Sequence, residues 1–129
     1  MNLVADTHAI LWFLGAPKKL SAKAKSAFEK AETGRWTLFV PVLCLYEAVL
    51  LGERGRIRFE FRELVEQLEL RVGFRLVELS IPDVDEARNL ASLADPFDRV
   101  IVGTALRLGL PLITADERIR QSGVVEVYW

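Results

Sequence analysis

Sulfur and imidazole are almost missing from this sequence, which has one cysteine, Cys44, and one histidine, His8. A lone thiol cannot close an internal disulfide, and without a Cys/His cluster a structural zinc ion has no ligand set. That fits a reducing compartment. Surplus charge is missing as well: 17 Lys and Arg stand against 18 Asp and Glu, a formal net charge of -1. No global field draws the chain toward nucleic acid or an anionic membrane, so any polyanion has to be held by a local patch or through a bound cation. No uncharged stretch is long enough to span a bilayer, and no basic flank precedes an apolar run at the N-terminus. The expectation is a soluble cytoplasmic protein. Internal repeats, low-complexity tracts and linkers are absent too. A chain of 129 residues, 51% of them hydrophobic, suits a single domain over residues 1–129 with one well-buried core.

What is present is an alternation of short apolar strands and helices. Residues 2–5 read as a strand that hands over at Asp6-Thr7 to a helix with Ile10, Leu11, Trp12 and Leu14 apolar. Gly15-Ala16-Pro17 breaks the chain, Ser21 is placed to cap a helix over 22–33, and Gly34 closes it. Residues 36–40 form a second strand stopped by Pro41, and 42–53 a helix. A basic, glycine-containing loop carrying Arg54, Arg56 and Arg58 follows. These arginines are a candidate patch for an RNA backbone, although a charge run of this kind is most often a solvated surface. A helix over 60–71, a strand over 74–79 and a helix over 81–93 come next. A further helix starts at Pro96 with Ile101, Val102, Ala105, Leu106 and Leu108 on its apolar side, and stops at Gly109. A short buried strand before Asp116 and an alternating, edge-like strand over 124–128 complete the chain. Strands in alternation with helices predict an α/β fold, a three-layer domain whose central sheet is mostly parallel and flanked by helices.

Four acids stand out by placement, and each also has an ordinary structural use. Asp6 ends the first strand and could cap the helix that follows, with Thr7 competing for that job. Asp98 lies third in a helix for which Asp95, ahead of Pro96, makes a natural N-cap, and a carboxylate there favours the helix dipole. Asp116 could cap a final short helix and pair with Arg120. Glu47 is the most informative position: it is the only charged residue between Leu38 and Leu51, and its helical neighbours Leu43, Cys44, Leu50 and Leu51 offer no cation. An unpaired buried charge costs several kcal/mol, so this carboxylate must find water, a distant partner or a cation. His8, single and unsupported, is given no catalytic role.

Ligands of open α/β sheets bind in the crevice beyond the carboxyl ends of the strands, where a strand-end acid and a helix-start acid can meet. Carboxylates gathered there without a cation repel and raise one another's pKa. Their convergence becomes favourable if Mg²⁺ or Mn²⁺ sits between them, since hard cations prefer oxygen ligands and keep several waters. A metal so held activates water for in-line attack on a phosphodiester, and a second one stabilises the leaving oxygen.

Ala5-Asp6-Thr7-His8-Ala9-Ile10-Leu11-Trp12, Glu47 in its apolar helix, Asp95-Pro96-Phe97-Asp98-Arg99 and Leu112-Ile113-Thr114-Ala115-Asp116 together resemble a PIN domain of the VapC toxin type, over essentially the whole chain. The resemblance implies a Mg²⁺- or Mn²⁺-dependent endoribonuclease, the toxin half of a type II toxin/antitoxin pair. Such toxins are typically homodimeric and are inhibited by a small VapB-like antitoxin whose tail enters the acidic cleft. Carried over by position, Asp6, Glu47, Asp98 and Asp116 form the catalytic and metal-binding quartet, with Thr114 beside it as a hydroxyl ligand or water positioner and Asp95 kept as a cap. The apolar content and the Trp12 region also predict self-association.

Two rival readings are carried alongside. One is a catalytically inactive α/β binding module whose acids only cap helices. The other is a metal-dependent phosphatase of small substrates. Its haloacid-dehalogenase form wants an Asp two residues after the first strand's Asp, where this chain has His8, and a receiver-type domain wants neighbouring acids and a late-strand Lys that are not there.

Overall fold

A computed structural model describes residues 1–129. Four strands, β1 (Asn2–Ala5), β2 (Thr37–Pro41), β3 (Phe74–Val77) and β4 (Leu112–Ile113), form one sheet in the order β3-β2-β1-β4, and every pairing is parallel. Helices flank it, as the alternation predicts. Parallel strands covered on both faces become continuous apolar runs rather than alternating ones. Leu3, Val4 and Ala5 of β1 are accordingly all fully buried, as are Leu112 and Ile113 of β4.

The seven α-helices are α1 (Thr7–Gly15), α2 (Ala22–Glu32), α3 (Val42–Glu53), α4 (Phe61–Glu69), α5 (Ile81–Ala87), α6 (Pro96–Leu108) and α7 (Glu117–Ser122). Their ends follow side-chain chemistry. Ser21 caps α2 by accepting from the Ala24 N–H at 3.0 Å. Asp95 caps α6 through the Phe97 and Asp98 N–H groups at 2.8 and 3.0 Å. Gly109 ends α6 in the left-handed region, φ 66°, where a side chain would be strained. No helix is long and apolar enough to cross a membrane.

Helix α6 is pinned to α5 in two ways. Asp83, fully buried, pairs with Arg107 and also accepts the Ser80 N–H at 2.9 Å. Burial alone would raise the Asp83 carboxyl, but the Arg107 and Ser80 hydrogen bonds outweigh it and hold the group below its ordinary range. Gly103 lets the two backbones approach, since a Cβ there would stand 2.7 Å from the Asp83 carbonyl oxygen.

The structure departs from the sequence reading in three places. The helix expected over 81–93 ends at Ala87. Beyond it Leu90 and Leu93 stay buried in turns, and the Arg99 guanidinium donates to the carbonyls of Ala91 and Leu93 and holds that turn in place. Strand β3 stops at Val77, leaving Leu79 exposed. The expected strand over 124–128 shrinks to one parallel bridge, Val127 with Leu112, because β4 is only two residues long and offers nothing more to pair with. Exposed apolar surface lies elsewhere than expected: Trp12 is half-buried, whereas Ile81 is 85% and Tyr46 56% exposed.

Candidate active site

Strand order decides where the site lies. The chain leaves β1 toward β2 on one side and reaches β4 on the other, so the order reverses at β1, and the crevice beyond the carboxyl ends of β1 and β4 is the topological switch point. Asp6 follows β1, and Asp116 follows β4 by three residues. A helix that leads into a parallel strand runs against it and starts at the sheet's carboxyl edge. That brings the first turn of α6, with Asp98, to the same rim. Helix α3 leaves that edge from β2 and carries Glu47 in its second turn.

All four predicted acids line one cleft of about 320 Å³, together with Asp95, Thr7, His8, Trp12, Ile101 and Ala115. Capping and convergence coexist there. Asp6 caps α1 by accepting the Ala9 N–H at 2.9 Å, and Asp116 caps α7 by accepting the Ile119 N–H at 3.0 Å. Each cap uses Oδ1, and an ionised carboxylate has about four lone-pair sites, so both retain capacity for a cation. Arg120 pairs with Glu117 rather than with Asp116. Glu47 finds its distant partner in the Thr7 hydroxyl, which donates to Oε1. This contact was not legible in the sequence, since the partners lie forty positions apart and Thr7 offered itself only as a rival cap. Thr114 is fully buried, and its hydroxyl accepts the Asp116 N–H at 3.0 Å, so it shapes the turn after β4. Asp95 also faces the cleft while capping α6. Arg54, Arg56 and Arg58 of the basic loop all lie outside the cleft.

Negative charge is concentrated here without compensation. None of these carboxylates has a Lys or Arg within ion-pair distance; the ion pairs of the protein lie elsewhere. Burial first, and then the charges of Asp95, Asp116, Glu47 and Asp6, push the Asp98 carboxyl up to about 7. Burial likewise raises Asp6 to about 6, against the opposing effects of Thr114, the Ala9 N–H and His8. Cys44, behind the site, is buried and its thiol pushed up, so it is a neutral core group.

The donors fit a hydrated hard cation better than a bare one. They are all oxygen, and no three His, Cys, Asp or Glu side chains stand close enough to enclose an ion as they lie. Mg²⁺ is usually held through one or two carboxylates and keeps several of its waters, so a ring of separated carboxylates around an open cleft suits it. Mutual repulsion and the separate anchors of Asp6, Glu47 and Asp116 account for the spacing.

The profile of the PIN domain family matches residues 3–124. Ribonuclease VapC22 of Mycobacterium tuberculosis is 31% identical over 121 residues, covering 92% of this chain and 90% of that protein. Among solved structures, VapBC2 from Rickettsia felis bound to a DNA fragment from its promoter superposes with a TM-score of 0.71 at 12% identity, over 100% of this chain and 99% of that one. VapC20 of M. tuberculosis, a toxin that cleaves the sarcin-ricin loop, gives 0.62 at 18% identity, over 98% and 99%. FitAcB from Neisseria gonorrhoeae gives 0.63 at 16% identity, over 98% and 96%. At these identities the structural likenesses speak for the fold.

Proposed function

The chain belongs to the PIN-domain family, in its VapC-type branch, and from that premise we propose that it is a Mg²⁺- or Mn²⁺-dependent endoribonuclease, the toxin of a type II toxin/antitoxin pair. One observation carries the reading: carboxylates from four separate elements, Asp6, Glu47, Asp98 and Asp116, face one cleft at the switch point with no cationic side chain among them. A helix-capping module needs the caps and can use Asp98 in the first turn of α6 for the helix dipole, but it has no use for Glu47, which caps nothing.

A bound Mg²⁺ or Mn²⁺ supplies a nucleophilic water at neutral pH and offsets the charge that develops on the phosphate and the leaving oxygen. The residues hold and orient that chemistry. Asp6 and Asp116, fixed by their caps, present carboxylates from the two strand ends. Glu47, oriented by Thr7, presents one from the opposite wall. Asp98 lines the cleft and accepts no hydrogen bond from the protein, so its carboxylate is free to share in holding the ion or to take a proton from the attacking water. In the reaction, water adds to phosphorus, a P–O ester bond breaks, and a phosphomonoester and a hydroxyl end are released.

The direct test is RNA cleavage by the purified protein with Mn²⁺ or Mg²⁺, with chelator, and after the ion is restored. Cleavage that stops in chelator and returns with excess ion is expected; cleavage that ignores chelator would remove the metal from the account. The partners proposed are an RNA substrate, a small VapB-like antitoxin and a second copy of the chain, in the cytoplasm. Self-association is motivated by Tyr46, Leu79, Ile81 and Val84, each at least half exposed. Light scattering at micromolar concentration should give about twice the chain mass of 14.6 kDa. A mass that stays at the monomer value counts against the dimer.

A further inference from the structure

A cleft walled by carboxylates can receive the one phosphate that sits at a cation, and it repels every other phosphate of the same strand. With a net charge of -1 the protein has no general attraction to make up the deficit, so the flanking nucleotides need a local hold. A second groove, of about 530 Å³, adjoins the acidic cleft and shares His8 and Trp12 with it. It lies between α1 and the segment from Ile57 into α4.

The lining of this groove differs in kind from that of the cleft. Lys19, Arg58 and Arg71 supply cations. Arg71 is engaged with Glu32 at 3.1 Å, but Lys19 and Arg58 are exposed and have no acidic partner. Two acids share the groove, Glu63 and Glu60, the latter still charged while its oxygens cap α4 by accepting the Arg62 and Glu63 N–H groups at 3.1 and 2.8 Å, so two unpaired cations stand beside two carboxylates where the acidic cleft has carboxylates alone. Trp12 stands at the junction. His8 lies 5.8 Å from its ring and Trp129 6.1 Å, both tilted, so no parallel ring covers it, and the Lys19 Nζ lies 5.9 Å from its centroid. Aromatic faces bind the bases of single-stranded RNA by stacking, and nearby Arg and Lys follow the backbone.

The geometry points to Trp12 as the stacking platform for the base next to the scissile phosphate, with Arg58 and Lys19 holding the phosphates beyond it, so that single-stranded RNA runs from the acidic cleft over Trp12 into the second groove. The choice of RNA as occupant rests on the nuclease reading. Arg58 is thereby separated from Arg54 and Arg56, which line neither cavity.

Binding without cleavage tests this separately. A 5′-fluorescein-labelled, ten-nucleotide single-stranded RNA of mixed sequence is titrated with the full chain in chelator, and anisotropy is read across a salt series. Trp12→Leu should weaken binding about tenfold at unchanged salt slope, and Trp12→Phe should restore most of it. Arg58→Ala should lower the slope of log K against log salt by about 0.7, the loss of one phosphate contact. Should Trp12→Leu fold poorly, RNA should still quench tryptophan emission in the native protein, and Trp12→Phe should lose that quenching. Equal affinity for RNA in the native protein, Trp12→Leu and Arg58→Ala overturns the assignment, as happens if the groove serves a protein partner. RNA cut with Mn²⁺ but indifferent to both variants sinks the groove and leaves the nuclease. Groove-dependent binding with no cleavage under any divalent ion does the reverse.

Discussion

Asp98→Asn is expected to reduce Mn²⁺-dependent RNA cleavage about a hundredfold or more while raising the melting temperature of the metal-free protein at pH 8. Loss on that scale is what removing one well-placed electrostatic group from an active site costs. The rise in stability follows from the surroundings of the carboxyl. Asp98 accepts no hydrogen bond from the protein, and the capping of α6 belongs to Asp95, so the amide forfeits no structural contact. What it removes is a half-buried charge crowded by Asp95, Asp116, Glu47 and Asp6.

Because the folded-state pKa is raised from 3.8 to about 7, the folded protein keeps a proton that the unfolded chain releases between those values. The stabilising contribution of that proton is complete below pH 3.8 and is lost as pH rises through about 7. At pH 8 the charged Asp98 therefore weakens the fold, and Asn should relieve it; at pH 5, where Asp98 already holds its proton, the advantage should shrink. Initial cleavage rates in Mn²⁺ and thermal melts in chelator at the two pH values read both halves. An unchanged rate with a lower melting temperature at pH 8 would assign Asp98 to the helix dipole alone.

The largest purely structural effect is expected at Gly73. A Cβ built there stands 2.3 Å from the carbonyl oxygens of both Ala31 and Trp36. Neither is a side-chain end that can rotate away: they are the backbone where α2 ends and β2 begins. Gly73 also donates its N–H to the Ala31 carbonyl at 2.9 Å and accepts the Leu38 N–H at 2.8 Å, so β3 cannot retreat without giving up both bonds. Gly73→Ala should therefore cost about 3 kcal/mol or more, the upper end of what overpacking produces, and lower the melting temperature by roughly 10 °C in a protein of this size. Gly15→Ala is the matched control. It ends α1 with nothing within 4 Å of the added carbon, and should leave stability within about 1 kcal/mol of the parent. Equal effects from the two substitutions would mean that helix propensity and unfolded-chain entropy, rather than close backbone approach, govern these sites.

Local chemistry was readable without coordinates. Period, breakers and caps act within four or five residues, which is why β1, α3 and α6 lie where the spacing puts them, and why Ser21, Asp95 and Gly109 end their helices as their side chains dictate. The same locality explains the errors. Nothing near residue 88 announces that Arg99, from the next helix, holds the carbonyls of Ala91 and Leu93 in the turns that follow α5. The alternation of 124–128 does not reveal that β4 is too short to support a full neighbour. For the acids, the sequence could mark Glu47 as a charge without a helical partner, but not that Thr7 answers it.

By itself, then, the sequence determined the order of strands and helices, the caps and the placing of single carboxylates at their ends, because these depend on neighbours along the chain. Tertiary structure alone decided that β1 lies between β2 and β4, and with it that Asp6 and Asp116 share a rim, that Asp98 and Glu47 face them, and that Trp12 joins the acidic cleft to a second groove carrying Lys19 and Arg58. Sheet order follows from burying whole faces against one another, a many-body preference that no short stretch of residues encodes.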